Sequence, residues 1–71
     1  MTIYEVLKAD AEEHKEAALA LADEYIRLID LGAPSKASEI ELDGYRHMRT
    51  AHAIEQAIAE LPREVAEREV E

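Results

Sequence analysis

Apolar residues recur at helical spacing from Ile3 to Leu31, stop at Leu31-Gly32-Ala33-Pro34-Ser35, and resume from about Lys36 to Leu61. Within the first stretch, Tyr4, Ala11, Ala18 and Tyr25 form one line at spacing seven, and Leu7, His14, Leu21 and Leu28 form the adjacent line. In the second stretch, Ala37, Gly44, Ala51, Ile58 and Val65 form one line, and Ile40, His47, Ile54 and Leu61 the other. Each helix thus sets a line rich in small residues beside a line of larger ones. Small residues let two helix axes approach, and large ones fill the layers between them. The pattern predicts an all-α fold, an antiparallel helical hairpin over residues 3–31 and 36–61.

Local signals punctuate this hairpin. Thr2-Ile3-Tyr4-Glu5 has the spacing of a capping box, in which the Thr2 hydroxyl accepts from the Glu5 amide and the Glu5 carboxylate accepts from the Thr2 amide. Gly32 is the expected left-handed residue closing the first helix, and Pro34 blocks its continuation. Two caps compete for the second helix: Ser35, and Ser38 in a further capping box with Glu41. Gly44 is unfavourable inside a helix by about 1 kcal/mol relative to alanine, which a close backbone would explain. Residues 1–61 read as the hairpin domain. Residues 62–71 read as a charged tail or short helix, frayed or disordered.

A second apolar stripe is left over. Leu19, Ala22, Ile26 and Ile29 lie beside the seam of the first helix, and Leu42, Tyr45 and Met48 flank that of the second. One hairpin partner does not cover both. Burying each large side chain is worth roughly 1.5–3 kcal/mol. Seventy-one residues bury too little to be comfortable alone, and there is no cysteine to staple them. The expected partner is a second copy, forming a homodimer or higher helical bundle through Leu19, Ala22, Ile26, Ile29, Leu42 and Met48. The alternative is a groove for a foreign helix or ligand.

Charge narrows the choice. The net charge of −9 argues against binding a nucleic-acid duplex or an anionic membrane surface. It suits a basic protein partner, and more simply a soluble acidic surface. The N-terminus has neither the basic start nor the apolar run of a signal peptide, so a cytoplasmic location is expected.

Against that background, Tyr45-Arg46-His47-Met48-Arg49-Thr50-Ala51-His52 is a basic island. Arg46 and Arg49, three apart, share a face that can grip a phosphate or carboxylate, with Thr50 beside them and Tyr45 able to stack on a base. Tyr45, Arg46, Arg49 and Thr50 are therefore the candidate ligand-binding residues. The plainer expectation is that both arginines pair across the hairpin with Glu16, Asp23 or Glu24.

The histidines are the other candidate chemistry. A His/Glu metal site in a helical bundle is reasonable in principle, but the Glu-x-x-His pattern of di-iron bundles is absent. A turn that pairs Leu28 with about Glu41 sets His14 opposite Glu55 and His47 nearer Leu21, so the histidines do not converge. No metal or cofactor is therefore expected. No phosphate loop or nucleophile–base spacing marks an enzyme.

Two families enter as resemblances. Leu28-Ile29-Asp30, Pro34-Ser35-Lys36 and the later Ile54-Glu55-Gln56-Ala57-Ile58-Ala59 resemble, over about half the chain, the helical-hairpin domain of phage sponge proteins that sequester cyclic-nucleotide signals of anti-phage defence (CBASS and Thoeris systems). That family tends to carry Arg-Glu after the turn, where this chain has Lys36-Ala37. The resemblance implies a helical homo-oligomer with nucleotide pockets between subunits. Ser38 with Glu41-Leu42-Asp43 is similar to the Ser-Gln-Glu-Leu-Asp signature of two-helix aspartyl-phosphate phosphatases, with the serine displaced by one residue and the glutamine missing. The combined expectation is a non-enzymatic acidic binding protein that oligomerises and sequesters a partner, a cyclic nucleotide or a host protein. The other readings are a protein-binding inhibitor or antitoxin-like regulator, a phosphatase-like regulator, and a metal-binding bundle.

Overall fold

A computed structural model describes residues 1–70, and all structural statements below concern those residues. Two long helices, α1 (Ile3–Asp30) and α2 (Pro34–Glu60), lie antiparallel, and a short α3 (Arg63–Ala66) follows. The all-α hairpin read from the periodicity is the fold of the chain. The molecule is a rod with Cα extents of 52 × 19 × 13 Å. Side chains widen a single helix to about 10–12 Å, so nowhere across the rod is there room for a third long helix.

Local chemistry sets the ends of α1. Thr2 is its N-cap, and both arms of the capping box form: Glu5 N donates to Thr2 Oγ1 at 3.2 Å and Thr2 N donates to Glu5 Oε1 at 3.0 Å. These two bonds to Thr2, backbone first, hold the Glu5 carboxyl below its usual range. At the other end Gly32 adopts φ +76°. Gly32 N donates to Ile29 O and Ala33 N to Leu28 O, at 3.0 and 2.9 Å, which is a Schellman motif.

The turn is tighter than the sequence suggests. Helix α2 begins at Pro34, not near Lys36, because proline's fixed φ suits the first helical position and its missing N–H is not needed there. Ala33 is the N-cap without a side-chain bond, so neither Ser35 nor Ser38 caps the helix; both lie inside it. Helix α2 is slid along α1 relative to the pairing of Leu28 with Glu41: Gly44, which that pairing sets opposite Tyr25, lies beside Leu21 and Ala18. Such a slide leaves every line on its own face and exchanges only the partners.

The seam is made of small residues. Ala11, Ala18, Ala37 and Ala51 are 0–7 % exposed, and no larger side chain is fully buried. Leu7, Leu21, Leu28, Ile40, Ile54, Ile58 and Leu61 are only half-buried beside them. Gly44 faces α1, where an added Cβ would stand 3.6 Å from Leu21 Cβ and 3.9 Å from Ala18 O. That is ordinary contact distance, so close backbone approach within the chain is not what requires glycine there.

The tail returns to the start of the chain. Ile3 N donates to Arg68 O at 2.9 Å and Val70 N donates to Met1 O at 2.8 Å, around a bridge between Thr2 and Glu69. The Met1 ammonium adds a 3.1 Å contact to the Glu69 carboxylate. The Arg68 carbonyl thereby satisfies one of the donors that the first turn of α1 leaves unpaired. No helix is long and apolar enough to cross a membrane.

Candidate functional site

Because the seam is alanine and glycine, one broad side of the rod has an apolar floor between two walls. Ala18 and Gly44 floor a cleft of about 470 Å³; Ala22, Tyr25 and Ile26 of α1 and Tyr45 and Met48 of α2 wall it. Glu41 is the one charged residue in its lining. Tyr45 is 62 % exposed, Ile26 59 % and Met48 49 %, which places large apolar surface at the rim of the cleft.

Of the residues expected at an interface, Ala22, Ile26 and Met48 line this cleft. Leu42 lies in an adjoining depression with Ser38, Glu41 and Tyr45. Leu19 and Ile29 are exposed but stand outside the lining.

The candidate ligand-binding residues divide between two places. Arg46, Arg49 and Thr50 line a shallow depression on α2 with Ala53, Ile54 and Ala57, whereas Tyr45 belongs to the apolar cleft. At about 100° per residue, Arg46, Arg49 and Thr50 fall within roughly 100° of the helix circumference, whereas Tyr45 lies about 140° from Thr50 and turns toward the cleft. The arginines do not reach across the hairpin as expected. Arg46 pairs with Asp43 one turn back at 3.6 Å, and the Arg49 guanidinium lies 5.9 Å from the centre of the Tyr45 ring. Thr50 Oγ1 donates to Arg46 O, which occupies its hydroxyl proton.

The cross-hairpin ion pair is instead Lys15 with Glu55, at 3.0 Å. The bond to Glu55 raises the Lys15 pKa above its ordinary value. On the α1 surface Arg27 pairs with Glu24 one turn back; their mutual bond lowers the Glu24 pKa and raises that of Arg27. All these groups are solvated, so the shifts describe surface pairing and mark no buried acid or base.

Two of the three histidines, His14 and His47, converge, contrary to expectation. His14 Nδ1 and His47 Nδ1 stand 2.8 Å apart, and Asp10 Oδ1 is 3.8 Å from His14 Nε2. The slide of α2 is the reason for the His14–His47 contact, whereas Glu55, expected opposite His14, is reached by the long side chain of the neighbouring Lys15. No sequence signal distinguishes this pairing from one slid along the axis, because both keep the histidines on their seam lines.

Comparison with protein-family models, with curated proteins and with solved structures finds no match to this chain.

Proposed function

We propose that the protein is a non-enzymatic binding module that works as a self-associated helical bundle, with the Ile26–Tyr45–Met48 cleft as the contact between copies. The carrying observation is the cleft itself: an apolar trough with one carboxylate in its lining, on a hairpin whose fully buried side chains, among the described residues, are all alanines. For a protein of net charge −9, it is a place where two copies can meet without setting many like charges against each other. Packing Ile26, Tyr45 and Met48 against a second cleft adds apolar burial at roughly 1.5–3 kcal/mol per large side chain.

Light scattering tests this. The chain is expected to run as a dimer or larger bundle, and Ile26→Lys combined with Met48→Lys to run as a folded monomer. A wild-type chain that stays a well-folded monomer at high concentration overturns the reading.

A second reading follows from the α2 depression. Among the described residues Arg49 has no carboxylate partner and Arg46 only a loose one, so both are available to a phosphate-bearing ligand. This is the chemistry a cyclic-nucleotide sponge needs, provided that assembly encloses the depression. Calorimetry with cyclic dinucleotides tests it; heat that disappears in Arg46→Ala and Arg49→Ala supports sequestration, and no heat with the assembled protein removes it.

A further inference from the structure

The histidine contact has a geometry that serves a metal ion as well as a proton. The ring centroids are 5.1 Å apart, the separation produced by two imidazoles meeting nitrogen to nitrogen at 2.8 Å. Two imidazoles on a tetrahedral zinc, with Zn–N of about 2.0–2.1 Å, set their centroids about 5.2 Å apart and their nitrogens about 3.3 Å apart. The rings of His14 and His47 therefore already have the required spacing. A pivot of each ring by about 35° turns the head-on contact into two lone pairs aimed at one point.

Asp10 supplies an orienting contact. Its carboxylate lies on the Nε2 side of His14. At 3.8 Å it makes no hydrogen bond, but its negative charge favours hydrogen on Nε2, which leaves Nδ1 as a lone pair on the side of His47. A carboxylate behind a coordinating imidazole is the usual second partner of a metal-bound histidine. In the metal-free pair one Nδ1 carries the hydrogen and the other accepts it; with His14 in the Nε2–H tautomer the donor is His47, whose hydrogen moves to Nε2 on coordination.

We propose that His14 and His47 form a two-imidazole clamp for a divalent transition ion of the zinc, copper or nickel class, tying α1 to α2 through their Nδ1 atoms. Among the described residues no third His, Cys, Asp or Glu donor converges there, so water or an external ligand fills the remaining positions. Imidazole donors select these ions over magnesium and calcium, which prefer oxygen. The site lies within one chain and does not depend on the proposed assembly, so its test reads out separately.

The test follows all three imidazoles by long-range proton–nitrogen NMR while zinc chloride is added to the full chain. Equimolar zinc is expected to shift Nδ1 of both His14 and His47, to leave His52 unmoved, and to raise the thermal midpoint. His47→Gln should remove the rise. Asp10→Asn should weaken zinc binding about 10–100-fold while leaving both coordinating nitrogens in place. If His47→Gln fails to fold, the wild-type nitrogen shifts decide alone. Zinc that moves only His52, or magnesium that raises the midpoint equally, overturns the proposal.

Discussion

Replacing Gly44 with alanine tests how closely the two helices approach. A glycine inside a helix is about 0.5–1 kcal/mol less favourable than alanine, because it has more backbone freedom to lose. Nothing in the chain exacts a compensating penalty. The new methyl would meet Leu21 Cβ at 3.6 Å and the Ala18 carbonyl oxygen at 3.9 Å, so it makes contact without displacing backbone. Gly44→Ala should therefore stabilise the hairpin by about 0.5–1 kcal/mol. For a chain of this size that is a rise in Tm of about 2–8 °C. Circular-dichroism melts over a range of protein concentrations make the measurement. Ala51→Leu is the contrast: Ala51 is 1 % exposed, and overpacking such a position costs about 1–3 kcal/mol. A lower Tm for Gly44→Ala at every concentration would refute the spacing of the helices. A variant whose folded monomer is more stable but associates less would place a second copy's backbone over Gly44, in the floor of the cleft.

Other perturbations address single contacts. Thr2→Ala removes the N-cap hydroxyl and should lower stability by about 1 kcal/mol in urea melts, with the loss localised to α1 by amide exchange. Since the Glu5 pKa is lowered in the fold, its contribution is fully present above the ordinary glutamate range and is lost as pH falls through the folded value. Acid melts of Thr2→Ala should accordingly show less pH dependence below about pH 5 than wild type. Removing residues 63–71 takes away the Arg68 carbonyl that accepts from Ile3 N; faster exchange at Ile3 and a Tm lowered by the equivalent of about 1 kcal/mol are expected. Breaking the Lys15–Glu55 pair in a double-mutant cycle should reveal little coupling, as expected of a solvated pair, and a large coupling would mean that assembly buries it.

The features legible in the sequence were those carried by side-chain pattern within one helix. Spacing seven revealed the alanine and leucine lines, Thr2 and Glu5 announced a cap, and Gly32 marked the left-handed stop. Register was not legible, because sliding α2 along the axis keeps both apolar lines of each helix in the seam. The deciding detail was whether Pro34 ends one helix or begins the next, and proline is suited to both. The meeting of His14 and His47 follows from the register. The return of the tail was hidden for another reason: its bonds from Ile3 to Arg68 and from Val70 to Met1 join backbone atoms, which every residue but proline provides alike. The division of Tyr45 from the Arg46–Arg49–Thr50 depression follows from helical angle, which a linear cluster of polar residues conceals.

The strap between residues 1–3 and 68–70 sets both ends of the described chain at one pole of a rod 52 Å long. Any protein fused at either end must then leave from that pole, while Gly32 crowns the other. A tether at the strapped pole would present the hairpin as an upright peg, its flanks and crown open to visitors.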